Sequence, residues 1–354
     1  MSDPLKLSIL DYSPVDEALS ATDALAATVR FAKRAEESGY HRYWVSEHHG
    51  AEATASNSPE ILISRIASAT KSIRVGSGGV LLPNYSSLKI AENYQLLEAI
   101  FPNRIDMGFG RAPGADQRTN LALNDEKAGS IPYPQKVADL LGFVTGRHLP
   151  RSRYAGMQAQ PLTRNPPQPF VLGASGATAD IAAQAGLGFT FAHFINPGAT
   201  GRQAAEAYRR SFVPSEFRQI PSVIVAVFVA VGRSEDEAAR YADAFHLWLT
   251  YAESVRPFDR VPSLGTTREH QWTPEECAVR SRNGGRLISG TAPQVVAELR
   301  KLARAYGTDE VMVNFMMPGE EARLYALESI ARLVNAASGN TVGGAPALAK
   351  DSLE

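Results

Sequence analysis

The sequence has little of what builds disulfide frameworks, membrane spans or export signals. Cys277 is the only cysteine, which excludes an internal disulfide and a cysteine-rich metal site and suits a reducing compartment. The longest apolar run, residues 223–231, is far shorter than the ~20 residues that a membrane helix needs. Residues 1–10 lack the basic region and apolar core of a signal peptide. We therefore expect a cytoplasmic protein without a membrane partner.

The chain also lacks an excess of charge of either sign, with 36 Lys and Arg residues against 37 Asp and Glu residues. Without a broad electrostatic field, nucleic acid is not expected to bind, and a small molecule is the expected partner. No G-x-G-x-x-G fingerprint follows the first predicted strand, which argues against a Rossmann dinucleotide domain. The absence of a G-x-S-x-G elbow and of an H-E-x-x-H pair argues against serine hydrolase and zinc protease chemistry.

What is present is a regular alternation of apolar and amphipathic segments. A length of 354 residues suits two ordinary domains or one large α/β barrel. Eight short apolar segments are each followed by a helical pattern, which favours parallel strands closed into a (β/α)₈ TIM barrel. The predicted strands cover residues 5–10, 43–45, 74–81, 104–109, 170–172, 189–194, 222–231 and 310–315.

Two long polar segments interrupt this alternation, and they predict insertions after strands 4 and 7. The first is a loop over residues 112–130, and the second is an insert over residues 253–289 with one short helix capped by Thr273 and Glu276. An insert of that length inside a compact domain is typical of a functional lid or a disordered segment. We expect a single domain over residues 1–337 and a mobile tail over residues 338–354.

In such barrels the catalytic groups lie at the carboxyl ends of the strands. Gly78 and Gly79 interrupt the third strand, as expected where another backbone or a ligand approaches closely. Arg111 follows the fourth strand, and Ser175-Gly176-Ala177-Thr178 begins a helix directly after the fifth. Each feature alone fits a surface salt bridge or an ordinary helix cap. Together, on neighbouring strands, they offer charge and N–H donors to one phosphate.

The segment Glu47-His48-His49 follows the second strand. Adjacent histidines on an extended segment point to opposite sides, so they do not easily ligate one ion, and no metal is expected. We interpret His48 as a hydrogen-bonding or acid/base group that faces the cavity. The alternative is a buried histidine bonded to Glu47 or to the backbone.

Four segments in this order resemble the bacterial luciferase-like flavin-dependent monooxygenases, in their single-chain, non-luminescent branch. They are YWVSEHHG (residues 43–50), residues 73–114, GASGATADIAAQAGLGFTFA (residues 173–192) and SGTAPQVVAELRKLARAYGTDEVMV (residues 289–313). The resemblance extends over residues 7–334 and so covers nearly the whole predicted barrel.

The resemblance implies that the barrel binds reduced FMN, with the phosphate held by Arg111, Ser175, Gly176 and Thr178. It places a strand bulge or a non-prolyl cis peptide at Gly78-Gly79 beneath the flavin ring, makes His48 the active-site histidine, and makes the 253–289 insert a mobile lid. The implied reaction uses O₂ and a C4a-peroxyflavin to oxygenate a small organic substrate. A separate flavin reductase and a homodimer, formed through helices near the second and third strands, are implied as well.

Two departures from the family pattern bear on function. Gly110 stands where luciferases have a reactive cysteine, which argues against light emission, and Ala174 stands where an acidic residue is usual. Two alternatives remain open: hydride transfer with a deazaflavin cofactor on the same barrel, and an FMN-binding protein without catalytic turnover.

Overall fold

The computed structural model describes residues 5–111, 115–124, 131–254 and 259–337. The strands are β1 Lys6–Asp11, β2 Arg42–Val45, β3 Arg74–Ser77, β4 Val80–Leu81, β5 Ile105–Gly110, β6 Gln168–Gly173, β7 Gly188–Ala192, β8 Val223–Gly232, β9 Leu287–Thr291 and β10 Glu310–Asn314. The helices are α1 Ala21–Glu37, α2 Pro59–Ala69, α3 Ser87–Ile100, α4 Gln117–Leu123, α5 Tyr133–Thr145, α6 Gly176–Gln184, α7 Ala199–Ser211, α8 Glu235–Ala252, α9 Leu264–Glu269, α10 Pro274–Asn283, α11 Ala292–Tyr306 and α12 Glu320–Ala337. Short 3₁₀ turns cover Leu82–Asn84 and Gly284–Arg286.

The strands close into a parallel barrel. Parallel pairing runs from β10 through β1, β2, β3, β5, β6 and β7 to β8, and β8 pairs again with β10. Helices follow the strands and cover the outside of the sheet, as the apolar runs of the strands require, because both faces of such a strand are buried. The predicted (β/α)₈ TIM barrel is confirmed.

Side chains alternate between the interior of the barrel and its helical coat. On β10, Met312 packs with Trp44 and Phe170 inside the barrel, whereas Val311 and Val313 pack with the apolar faces of the helices. The same period places alternate residues of every barrel strand in the interior. Residues at the carboxyl ends of the strands therefore face a common opening.

The amino-terminal part of the interior is filled by a buried ionic network. The Arg42 guanidinium lies 2.6 Å from the carboxylates of both Asp106 and Glu310. Ser8 donates to Glu310 over 2.6 Å, and the Trp44 indole donates to Asp106 over 2.9 Å. Burial acts to raise the pKa of Asp106, but the cation of Arg42 holds that pKa below its usual value. Because each of these charges has an opposite charge beside it, the network stabilises the amino-terminal end of the interior, and the opposite end is left for ligands.

The structure corrects several sequence predictions. The third predicted strand, residues 74–81, is divided into β3 and β4, and the sixth ends at Ala192 instead of residue 194. Strand β9 was not predicted and extends the sheet beside the end of β8. The predicted loop over residues 112–130 contains helix α4, while residues 112–114 and 125–130 lie outside the described part of the chain.

The predicted lid is largely built of regular structure. It contains α9, α10 and the start of β9, and the capping box formed by Thr273 and Glu276 at α10 is confirmed. Residues 255–258 of this insert and the predicted mobile tail, residues 338–354, lie outside the described residues. Within the described ranges, no helix combines the length and the hydropathy needed to cross a membrane.

Candidate active site

A cavity of about 770 Å³ opens at the carboxyl end of the barrel, a volume in the range of small-molecule sites. Its aromatic wall consists of Tyr12, Phe194, Phe228 and Trp248. His48 and His49 line the cavity from the segment after β2. The cavity therefore lies over β1, β2, β7 and β8, close to the predicted catalytic histidine.

His48 is half-buried and fixed on two sides. Its backbone N–H donates to the Ser56 carbonyl over 3.0 Å, and its Nδ1 lies 3.0 Å from Ser46 Oγ. The imidazole packs 4.5 Å from the Tyr12 ring, measured between ring centroids. Burial, helped by the neighbouring His49, lowers the pKa of His48 to about 4. His48 is consequently a neutral imidazole at pH 7, and among the described residues its Nε2 has no hydrogen-bond partner.

Glu47 organises a second network that sequence reasoning missed. Its buried carboxylate accepts hydrogen bonds from the Tyr85 hydroxyl (2.5 Å) and the Leu81 backbone N–H (2.9 Å), and it lies 2.8 Å from His49 Nε2. His48 and His49 thus have different partners, as the alternation on an extended segment predicts. Glu47 ties the cavity wall at His49 to β4, the strand that follows Gly79.

The peptide bond between Gly78 and Gly79 is cis, which confirms the expectation drawn from the resemblance. A Cβ added at Gly78 would lie 2.5 Å from Leu10 Cδ1, and one at Gly79 would lie 3.0 Å from the backbone of Gly108. A Cβ at Gly108 itself would lie only 2.0 Å from the Ser77 carbonyl oxygen. Strands β3 and β5 therefore approach each other more closely than side chains allow. Glycine is required at position 108, which the sequence analysis did not identify.

The predicted phosphate residues gather at the ends of β5 and β6. Gly110 pairs with Leu172 in the sheet, so Arg111 leaves β5 beside the turn that leads to α6. Ser175 caps α6, accepting from the Thr178 N–H over 3.4 Å, and the two hydroxyl oxygens lie 3.1 Å apart.

Space remains above the start of α6. A Cβ added at Gly176 would meet no atom within 4 Å, and Ser175 is half-buried while Thr178 is buried. Arg111 is exposed beside this helix start. An exposed guanidinium, a hydroxyl and a helix N-terminus with open space form a donor set that fits a phosphate group.

Two buried polar atoms near this end of the barrel lack a hydrogen-bond partner within the described ranges: the Tyr133 hydroxyl and the Asn314 amide nitrogen. Burial raises the pKa of Tyr133 and the charge of Arg111 opposes that rise, which places the phenol within the field of the guanidinium. Asn314 ends β10 on the inward face, in register with Phe228 of the cavity wall. Unsatisfied buried donors of this kind fit a ligand rich in acceptor atoms.

The predicted site residues fall into two adjoining halves. His48 lines the cavity over β1, β2, β7 and β8, whereas the other predicted residues lie at the ends of β3–β6 and are not among the described residues that line it. Those residues are Gly78, Gly79, Arg111, Ser175, Gly176 and Thr178. In the described part of the chain, no group of three or more His, Cys, Asp or Glu residues could hold a metal ion.

Comparison with known proteins assigns this arrangement to a family. The family model for luciferase-like monooxygenases matches residues 5–323. The chain belongs to the luciferase-like monooxygenase family. It is an oxidoreductase of the monooxygenase class, and the resemblance found in its sequence is confirmed.

Relatives in this family cover almost the whole chain. An N-acetyl-S-alkylcysteine monooxygenase of Bacillus subtilis (strain 168) is 34% identical over 317 residues, which are 87% of this chain and 92% of the relative. The crystal structure of apo-MsnO8 is 33% identical, with a TM-score of 0.85 over 94% of this chain and 98% of that chain. The FMN-bound oxygenating constituent of 3,6-diketocamphane monooxygenase from Pseudomonas putida shares the fold at 16% identity. Its TM-score is 0.66 over 93% of this chain and 97% of that chain.

Proposed function

We propose that this protein is an FMN-dependent monooxygenase that receives reduced FMN from a separate flavin reductase and uses O₂ to oxygenate a small organic substrate. One observation carries the proposal: a phosphate-type donor set and an aromatic cavity with a neutral histidine lie on either side of the close approach at Gly78-Gly79. A flavin mononucleotide has its phosphate and its reactive ring at opposite ends, so it would extend from the donor set to Gly78-Gly79 and present its ring to the cavity, which is left for the substrate.

In this proposal Arg111 forms an ion pair with the phosphate, while Ser175, Gly176 and Thr178 donate to it from the start of α6. Gly78 and Gly79 support the ring, because no side chain projects from either residue. Bound FMN would supply the activation of O₂ and the transfer of one oxygen atom, chemistry that side chains do not provide.

His48 is placed to donate a proton to a ligand in the cavity or to accept one from it. Ser46 Oγ fixes one ring nitrogen, and Nε2 is left to donate to, or accept from, a ligand. With a pKa of about 4, the imidazole is neutral across the physiological range. The aromatic side chains around it give the cavity an apolar wall, which would limit the access of water to an oxygen-transfer reaction.

The proposal also includes a single domain over residues 1–337, a cytoplasmic location and a homodimer. Exposed apolar side chains on α2 and α3 support the dimer: Ile61 is 74% exposed, Leu96 52% and Ile100 54%. Burying these side chains against a second copy would remove apolar surface from water.

Cofactor binding tests the phosphate assignment. Affinities for reduced FMN and reduced riboflavin are measured anaerobically, and Arg111→Ala should weaken FMN binding at least about tenfold more than riboflavin binding, the effect of one charge-assisted contact. Arg147 is the matched control, because it is exposed and follows the end of α5, at the opposite end of the barrel. Equal losses for the two flavins, or an equal loss in Arg147→Ala, would contradict the phosphate site.

Admitting O₂ to the complex tests the reaction class. Reoxidation of bound flavin at a rate different from that of free flavin is expected, since the cavity controls access of water and O₂. Binding of FMN with reoxidation at the free-flavin rate would favour a non-catalytic FMN carrier. Binding of a reduced deazaflavin in place of FMN would favour the hydride-transfer alternative.

A further inference from the structure

The cavity over β1, β2, β7 and β8 has an aromatic floor centred on Phe228. The Phe228 ring centroid lies 4.8 Å from that of Phe194 and 5.9 Å from those of Tyr12 and Trp248. Aromatic side chains at these spacings favour edge and offset contacts with another planar ring. A flat, apolar ligand body matches this surface better than a flexible polar one.

One cation enters this wall from a distant part of the sequence. Strand β9 pairs with β8 so that Leu287 lies opposite Phe228, and Arg286 therefore reaches the cavity. The Arg286 side chain is 13% exposed. Its Nε donates to the Phe194 carbonyl, and its Nη1 donates to the Glu253 carboxylate. Within the described ranges, Nη2 has no acceptor.

The charges that line the cavity are unevenly placed. Besides Arg286 and its partner Glu253, the described lining contains the carboxylate of Asp116. Asp116 caps α4 and lies beside Gly50, whereas Arg286 lies beside Phe194. An anionic ligand is therefore oriented toward the Arg286 side. The Tyr12 hydroxyl has no partner in the described part of the chain. Burial raises the pKa of Tyr12 and the charge of Arg286 opposes that rise, so a second donor is available near the guanidinium.

We infer that the cavity accepts a planar aromatic molecule bearing an anionic oxygen, a carboxylate or a phenolate, that binds Arg286 through Nη2 while its ring packs on Phe228. This inference rests on the proposed function only in taking the cavity as the substrate site. A wholly apolar ligand would seal a guanidinium N–H from water without an acceptor, which is unfavourable. A carboxylate accepts from a guanidinium with good geometry and restores the lost hydrogen bonds.

The test compares 2-naphthoate with its neutral isostere 2-naphthamide. Binding to the cofactor-free, full-length protein is measured by calorimetry. 2-Naphthoate should bind at least about tenfold more tightly, since a charge-assisted pair in a partly buried site is worth that much. Arg286→Met should remove this preference while leaving 2-naphthamide affinity within about twofold. Arg280 is the matched control: it also belongs to the insert and pairs with a carboxylate, but it does not line the cavity.

A second variant keeps the inference falsifiable if Arg286→Met fails to fold. Glu253 is 43% exposed, so Glu253→Gln should fold, and it removes the anion that competes for Arg286. We expect it to strengthen 2-naphthoate binding about threefold or more and to leave 2-naphthamide unchanged. Equal binding of the two ligands by the wild-type protein, no detectable binding of either, or no gain in Glu253→Gln would each overturn the inference.

These outcomes separate the inference from the proposed function. A lost naphthoate preference alongside Arg111-dependent FMN binding overturns only the substrate class. A naphthoate preference that depends on Arg286, in a protein that binds no flavin, overturns only the proposed cofactor chemistry.

Discussion

Replacing Glu47 by Gln should both destabilise the protein and weaken flavin binding. Residue Glu47 is 3% exposed. Its carboxylate accepts hydrogen bonds from the Tyr85 hydroxyl and the Leu81 N–H, and His49 is a third neighbour. An amide of the same size removes the negative charge and turns one acceptor oxygen into a donor, so the hydrogen bonds lose their charged acceptor and Tyr85 or His49 must accept instead of donate. A hydrogen bond to a charged group contributes about 1.5–3 kcal/mol, and an unsatisfied buried partner adds to the loss.

A loss of about 3 kcal/mol sets the size of the thermal effect. At about 2.1 cal/mol/K per residue, a chain of 354 residues has an unfolding entropy near 0.7 kcal/mol/K, so Tm should fall by about 4 °C. Differential scanning fluorimetry and calorimetry measure this shift. A change of less than about 1 °C would refute the view that the three contacts stabilise the fold.

The predicted loss of FMN affinity needs a control variant that is destabilised at a site far from the proposed cofactor site. Glu98 is equally buried and accepts from the backbone N–H groups of Asn103 and Ile105, at the start of β5 and away from the carboxyl ends of the strands. Glu98→Gln should lower Tm comparably without changing FMN affinity. Glu47→Gln should lower FMN affinity as well, because Glu47 holds the Leu81 N–H directly after the Gly78-Gly79 segment. Equal FMN affinities in both variants would refute that positional role.

Three further outcomes are expected for changes at His48, Arg42 and Gly108. His48 has a folded-state pKa of about 4 against about 6.5 when unfolded, so acidification from pH 6.5 to 4 should cost about 3 kcal/mol of stability, and chemical denaturation of His48→Gln should show a shallower pH dependence. Arg42→Met leaves the buried Glu310 carboxylate without its arginine partner, while Asp106 keeps its ion pair with Arg74, and should cost about 3–5 kcal/mol, measured by urea unfolding. Gly108→Ala, whose Cβ would lie 2.0 Å from the Ser77 carbonyl oxygen, should lower Tm and FMN affinity together. A Gly176→Ala control, with open space around its Cβ, should leave Tm nearly unchanged.

Local patterns were sufficient for the barrel because its strands are continuous apolar runs that end at turns. β8 is buried along its whole length and was predicted almost to its ends. Strand β9 was missed because it is only half-buried and carries Ser289 and Gly290, which resemble turn residues in isolation. Its strand conformation comes from pairing with β8, a contact that no local pattern encodes.

Some residues of the candidate site could likewise be predicted from the local sequence, and others could not. Gly78, Arg111 and Ser175 follow apolar strands directly, so their positions could be read from local order. The partners of Glu47 could not be, because Leu81 and Tyr85 lie 34 and 38 residues further along the chain. Arg286 could be placed only once β9 was known, since the insert that carries it has no periodic signal that fixes its direction.

The fold requires glycine at position 108 but not at position 110. At Gly108 the backbone of Ser77 leaves no room for a Cβ, so glycine there is a requirement of the fold. At Gly110 a Cβ would meet only the Leu172 carbonyl oxygen, at an ordinary contact distance of 3.6 Å. Nothing in the backbone therefore requires glycine at this position, two residues further along the same inward face. A side chain there would project between the two halves of the candidate site, the residues predicted to hold the phosphate and the aromatic cavity. Its absence keeps the two halves continuous, so that a cofactor held by the predicted phosphate residues could present its ring to a substrate in the cavity.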